Sequence, residues 1–465
     1  MARAKKEAAL TPEERLQAAL VPDWEWPYKL PGNWCWTRLG NYVDYVTDYV
    51  ANGSFASLKA NVSIFKDENY ALMVKTQDFA NGFTKSLTYT DKHGYDFLSK
   101  STLHGGELIL SNIGSVGKVF RVPYFNRPMT LASNSVMVKC YNNRDYDWMY
   151  YFLLSPIGFE ELKSITTGTA VPKFNKTDLK TIPLPVPPLA EQQRIVDRIE
   201  SLFAKLDEAK EKAQAVMDSF ETRKAAILHK AFTGELTAKW REEHGVGMES
   251  WKVRTLDSVC SSIFDGDHMP PPKAESGVPF LVISNVNTGH LTFENTRFVP
   301  QEYYDAISDT RKPQLGDVLY TLVGSFGIPV VVNSKRPFCF QRHMALLRPI
   351  DVSPQFLWYI LQTPEMYDRA SSIATGTAQL TIPIKGLRAM TIPCPNITEQ
   401  VEIVRILDGL FAKGQHAKEA AEAVLDQIDL MKKSILARAF RGELGTNDPS
   451  EESAVELLKE IIRRG

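Results

Sequence analysis

Apolar residues along the middle of the chain fall at Ile195, Ile199, Leu202, Leu206, Ala209, Ala213, Val216, Phe220 and Ile227. The steps alternate between four and three, which is the a/d stripe of a heptad helix, broken only at Arg223. Pro188 closes the preceding segment, and Gly234 is placed to end the helix. A helix of roughly 44 residues at about 1.5 Å per residue spans about 66 Å.

The pattern is written twice. Residues 189–236 return at 397–444 with a constant shift of 208 and no gap, and 23 of the 48 paired positions are identical. Glu191-Gln192 recurs as Glu399-Gln400, and Leu202-Phe203-Ala204-Lys205 as Leu410-Phe411-Ala412-Lys413. The chain is therefore a duplicated unit. The register carried over from the first copy places the second stripe at Ile403, Leu407, Leu410, Gly414, Ala417, Ala421, Val424, Ile428, Met431 and Ile435. The two seams are most simply each other's partner, with self-dimerisation as the alternative.

A globule precedes each helix. The first, 31–188, has short β-like runs at 107–111, 116–122 and 136–140, an aromatic helix near 145–154, and a proline-spaced extended segment at 182–188. The second, 249–396, repeats it faintly. Trp34 is matched by Trp251, Gly106-Glu107 by Gly316-Asp317, Gly114-Ser115-Val116-Gly117 by Gly324-Ser325-Phe326-Gly327, and 164–169 by 372–377. The expected fold class is α+β: two similar globules separated by two long antiparallel helices forming a coiled coil, with pseudo-two-fold symmetry. Antiparallel helices suit the short connector at 233–248, in which Gly245 and Gly247 mark a loop; parallel ones would make it return most of the helix length. Residues 1–30 form a leader. Thr11-Pro12-Glu13-Glu14 reads as a capping box opening a short helix to about Leu20. Trp24, Trp26 and Tyr28 follow as an extended arm, which either tucks onto the first globule or lies on another surface. In the tail, 445–465, Ser450 is expected to cap an amphipathic helix with Val455, Leu458, Ile461 and Ile462 on one face.

Composition narrows the class. With 465 residues the chain suggests two or three domains, and 44% hydrophobic with 23% charged residues is globular. No stretch is long and apolar enough to span a membrane, and the basic residues 1–6 lack the apolar run of a secretion signal. The five scattered cysteines without CxxC spacing read as thiols of a reducing cytosol, not as a metal site. Net charge of −1 confines any nucleic-acid site to a local patch. The first globule carries 16 Lys/Arg against 13 Asp/Glu and the second 13 against 13, so contacts of shape and sequence must add to a modest electrostatic term.

The chain shows no chemistry of its own. It lacks the Asn/Asp-Pro-Pro-aromatic loop that holds a flipped adenine, and Met269-Pro270-Pro271-Pro272-Lys273 reads as a rigid surface turn. Gly114-Ser115-Val116-Gly117-Lys118 fails the spacing of a phosphate-binding loop. Glu208-Ala209-Lys210 sits in the helix as an exposed face, and the histidines form no H-x-x-x-H pattern. Similar globules held at a fixed separation suit a bipartite DNA reader, because symmetric DNA-binding dimers use half-sites about 34–36 Å apart.

The run Pro-Pro-Leu-Ala-Glu-Gln-Gln-Arg-Ile-Val at 187–196, the run Ala-Phe-Thr-Gly-Glu-Leu-Thr-Ala-Lys-Trp-Arg at 231–241 and the Gly-Thr-Ala turns resemble the specificity subunit of type I restriction-modification systems. The resemblance covers about 30–444. It implies target-recognition domains at 31–188 and 249–396, each reading half of a split double-stranded DNA sequence, and helical spacers at 189–248 (with the connector) and 397–444. It implies two modification subunits docked on this chain, restriction subunits in the full complex, a cytoplasmic location, and catalysis with S-adenosylmethionine left to the partners. The chain itself would hold no cofactor. A coiled-coil protein scaffold and the recognition part of a self-contained methyltransferase are the alternatives. Gln379 near the place of Lys173 and Asn175, and Gly414 in place of Leu206, depart from the match between the halves.

Phosphates are held by Lys, Arg, small polar side chains and backbone N–H groups, and bases are read by Arg, Lys, Asn and Gln. The candidates are Ser115, Lys118 and Ser325 in the glycine loops. Asn134, between Ser133 and Ser135, and the triplet Gln341, Arg342 and His343 precede matching β runs. Lys173, Asn175, Lys176, Thr377 and Gln379 follow the Gly-Thr turns. Lys75, Gln77, Asn285, Asn287 and His290 complete the set. The glycine loops serve equally as plain structural turns.

Overall fold

A computed structural model describes residues 11–266, 270–377 and 379–464. The basic residues 1–6 and Met269 of the proline run lie outside the described residues. Two compact units result: residues 1–212 with 424–465, and residues 213–423. Both are mixed α+β.

In the first unit an antiparallel sheet orders Tyr45–Asp48, Ser135–Lys139, Leu108–Ser111 and Val119–Arg121. A second sheet orders Tyr89–Thr90, Ala71–Val74, Met129–Leu131 and Thr102–Leu103, with Ala71–Val74 parallel to Met129–Leu131. The second unit repeats the plan. Cys260–Asp265, Met344–Pro349, Val318–Thr321 and Pro329–Val331 form one sheet; Arg297–Val299, Val278–Leu281 and Cys339–Phe340 form the other. The proline-spaced segment is the strand Pro183–Val186, paired only with Cys35–Arg38, where a missing N–H is tolerated on the free side. Thr391–Cys394 pairs with Lys252–Thr255 in the same way.

The long helices run Leu189–Phe232 and Ile397–Ala439, with Gly234 and Gly442 left-handed (φ +85° and +73°) just beyond. Heads and tails of the helices close the cores. In the first unit Ile195, Ile199, Leu436 and Phe440 join the core, and the Phe440 ring meets Trp148 and Phe152 edge to face. In the second, Leu228, Phe232, Ile403 and Leu407 do so. Within the first unit Lys432 reaches Asp207 and lies 5.0 Å from the Phe203 ring; within the second, Lys418 lies 5.2 Å from the Phe220 ring. In each unit the two helix segments run antiparallel.

The second seam is one residue out of the expected phase at every other position. Leu410, Val424 and Met431 are 36%, 41% and 48% exposed, and Ala417 is exposed as well. Their neighbours Phe411, Lys418, Leu425 and Lys432 turn inward instead. One residue rotates a side chain by about 100° on a 3.6-residue helix, so either phase preserves the four–three alternation. Phe411 decides it by packing on Tyr359, and the two lysines by laying their stems over Phe220 and Phe203.

The leader helix Pro12–Ala19 has the expected capping box from Thr11 and Glu14, and the arm behind it tucks onto the first unit. The connector contains a further short helix, Ala238–His244, ended by left-handed Gly245. The tail helix starts at Ala454, later than a Ser450 cap requires. Ser450 instead bonds Asp448, and Ser453 accepts from the N–H of Val455. The expected apolar face of this helix packs on the first unit's core.

Candidate nucleic-acid interface

Strand ends and the loops joining them gather at one edge of each unit. In the first unit the N–H of Ala132 donates to Val74, which brings the turn at Ser133 and Asn134 beside Lys75 and the short helix Thr76–Ala80. Asn134 is left-handed (φ +66°), as a tight turn between neighbouring strands demands. Asn112, which follows the strand Leu108–Ser111, is the hub. Its N–H donates to Asn134, its carbonyl accepts from Phe174, and its side chain donates to the Phe174 carbonyl at 3.1 Å. Gly114 donates to Pro172 at 2.9 Å, and Thr167 and Lys173 exchange backbone bonds. Thus Ser115, Lys118, Asn134 and Lys173, all exposed, come from three separate segments to one face, with Lys75 and Gln77 beside them.

The second unit builds the same edge. Gln341 donates to Leu281, Leu322 to His343, Ile382 to Leu322, and Gly324 to Leu380, all through backbone groups. Ser325, Arg342, Thr377 and Gln379 are exposed there, and Gln341 and His343 half-buried. Burial, with the Arg342 cation beside it, holds the His343 imidazole below its ordinary value, so the ring is neutral near pH 7. The matched glycines explain themselves. Gly106 and Gly316 have φ of +91° and +92°, and the following carboxylate accepts from turn N–H groups: Glu107 from His104 and Gly105, Asp317 from Gln314.

Other candidates are engaged structurally. Asn285 is 2% exposed, its oxygen takes the N–H of Val282 and its amide donates to Glu294, so it has no group to offer a ligand. It is the counterpart of Asp78, which caps Lys75 in the same way. Asn175 caps the helix Lys176–Thr181 by accepting from Thr177 and Asp178, and Lys176 pairs with Asp48 at 2.9 Å. The Lys75 ammonium donates to the Ser86 carbonyl and so pins the loop that carries Lys85. Asn287 and His290 are exposed on the corresponding loop of the second unit. Asn112 was legible only as a polar residue ending a β run, and its partners are remote in sequence.

Among the described residues no group of His, Cys, Asp or Glu could hold a metal ion, and no helix is long and apolar enough to cross a membrane.

Known proteins place the chain. The model of the type I restriction modification DNA specificity domain matches residues 49–216 and again 248–423. The EcoKI specificity subunit of Escherichia coli is 27% identical over 333 residues, covering 67% of this chain and 70% of that protein. The MjaVIII specificity subunit of Methanocaldococcus jannaschii is 25% identical over 439 residues, covering 90% and 94%. The crystal structure of the HsdS subunit from Thermoanaerobacter tengcongensis shares the fold, with a TM-score of 0.61 at 22% identity over 90% of this chain and 99% of that one. With a specificity domain in each half and the same loop-bearing edge built in both, the chain belongs to the type I restriction-modification specificity subunits.

Proposed function

We propose that each unit reads one half of a bipartite, asymmetric DNA target through its strand-end edge. The observation that carries this is the twice-built cluster: Ser115, Lys118, Asn134 and Lys173 in one unit, Ser325, Gln341, Arg342, His343, Thr377 and Gln379 in the other. Lys75, Gln77 and Asn287 flank these clusters. Lys118 and Lys173 suit phosphates, whereas Arg342, Gln341 and Gln379 suit base edges. The two sets differ in chemistry, so the half-sites differ in sequence. Recognition falls to 31–188 and 249–396. The spacers 189–248 and 397–444 set the distance and offer docking surface to two modification subunits, and restriction subunits join the larger complex. The described parts of the leader, 11–30, and of the tail, 445–464, brace the first unit. Methyl transfer and S-adenosylmethionine belong to the partners, and the assembly works in the cytoplasm.

Mapping methylated adenines in a host that carries this chain and its modification partner tests the reading. One two-part, non-palindromic motif is expected. A purified complex with no sequence preference on DNA would sink it.

A further inference from the structure

The two units differ at one place where the repeat predicts sameness. In the first unit the Tyr28 hydroxyl donates to the Phe440 carbonyl at 2.6 Å, and its ring meets Trp36 edge-on at 5.0 Å. The Arg441 guanidinium lies 5.8 Å from the same ring, and Glu161 is near enough to act on the phenol electrostatically. The leader thus plugs the end of the second long helix with an aromatic ring.

A shift of 208 carries Phe440 to Phe232 and Arg441 to Thr233 within the ungapped repeat. It also carries Glu161 to Arg369, because the helices Pro156–Ser164 and Pro364–Ile373 begin 208 residues apart, each capped by a hydroxyl (Ser155, Thr363). In the second unit Thr233 and Arg369 are exposed, and Phe232 keeps 9% exposure where Phe440 has none. Phe232, Thr233 and Arg369, together with Ile360, Met366 and Pro393, line a cavity of about 140 Å³. Three residues placed around Tyr28 thus have counterparts that line a cavity in the second unit.

The missing plug is readable. Trp34 and Trp251 are equivalent, since each indole donates to the repeated glutamate, Glu191 or Glu399. Six residues before Trp34 stands Tyr28; six before Trp251 stands Gly245, which ends a helix in the left-handed conformation and carries no side chain. Apolar walls with a methionine sulfur favour an aromatic occupant. Phe232 is the last residue of its helix, so its carbonyl is among those the helix leaves without an internal donor, as an acceptor for a phenol requires. Arg369 and the His229–Glu365 pair, 2.6 Å apart, put polar groups on the wall.

We propose that this cavity is a docking socket for a tyrosine on an extended segment of a partner protein, seated as Tyr28 is seated in the first unit. The chain then offers one open aromatic socket, in the second unit, because its own leader fills the other.

The test uses the full chain and, as probe, a fluorescently labelled peptide of residues 22–31, which carries Tyr28 in its native context. Titration followed by anisotropy should give one saturable site per chain. Replacing the peptide's tyrosine by alanine should weaken binding at least tenfold. Thr233→Trp, which plugs the socket from its exposed rim, should abolish binding while thermal unfolding and DNA binding stay unchanged. Tyr28→Ala in the chain should open the first socket and raise the stoichiometry to two. No saturable binding, undiminished binding to the Thr233→Trp chain, or a stoichiometry that stays at one in Tyr28→Ala would each overturn the proposal. None of these results bears on whether the chain reads DNA, so the two readings stand or fall separately.

Discussion

The indole nitrogen of Trp34 donates to Oε2 of the fully buried Glu191 at 2.8 Å, locking the first globule onto the head of the first long helix. Trp251 does the same to Glu399 at 3.0 Å in the second unit. The repeated Glu-Gln pair therefore joins globule to helix. Gln192 and Gln400 complete the joint by donating to the carbonyls of Pro187 and Pro395. The remaining partners of the glutamates differ: Thr446 and Asn447 hold Glu191, whereas Thr237 and the Arg241 cation hold Glu399.

That difference predicts unequal sensitivity. Arg241→Met leaves Glu399 buried without its cation and should cost about 3–5 kcal/mol. Trp251→Phe removes one hydrogen bond to the same carboxylate and should cost about 1–3 kcal/mol. Denaturant midpoints of the two variants check the order; equal losses would mean that the ion pair does not hold the joint.

Gly414 sits in the seam with the Phe220 ring 3.4 Å from where a Cβ would lie. Alanine fits at that distance with a few tenths of an ångström of adjustment, and its helix propensity exceeds that of glycine by about 1 kcal/mol. Gly414→Ala should therefore raise the unfolding midpoint. A lower midpoint would show that the seam cannot yield around Phe220.

The row Leu410, Val424 and Met431 faces solvent, so Met431→Gln should change stability by less than about 0.5 kcal/mol. If the helices dock modification subunits, the same change should weaken co-purification of that subunit. Unchanged assembly would remove this row from the docking surface.

Removing one heptad from each helix should shorten the separation by about 10 Å, near 3 base pairs, with half-site sequences unchanged. Arg342→Ala should relax a single position of one half-site, at about 1–3 kcal/mol, whereas Lys118→Ala should weaken all sites alike and lower the salt slope by about 1. Methylome sequencing reads the spacer and the relaxed position, and salt titration reads the slope.

Acid should release the tail. Hydrogen bonds from Arg194 hold the Glu451 carboxyl below its ordinary 4.5. A depressed carboxylate contributes stability that is complete above its ordinary value and is lost as pH falls through the depressed one. Amide protection at residues 454–464, corrected for intrinsic exchange, should drop across that window. Arg194→Gln should flatten the dependence.

The duplication, the two long helices and the globule that precedes each could be read from the chain alone. Repeats, heptad spacing and helix-ending glycines are properties of neighbouring residues. Folding decided what depends on remote partners. Phe411 on Tyr359, with Lys418 and Lys432 over their rings, set the phase of the second seam, and periodicity alone could not separate two phases one residue apart. Asn285, Asn175 and Lys176 look like free polar groups along the sequence, yet caps and an ion pair engage them in the fold. Asn112 gathers loops some twenty and sixty residues away, and Tyr28 reaches a carbonyl 412 residues on. Such closures depend on packing across the whole unit, which no local pattern encodes.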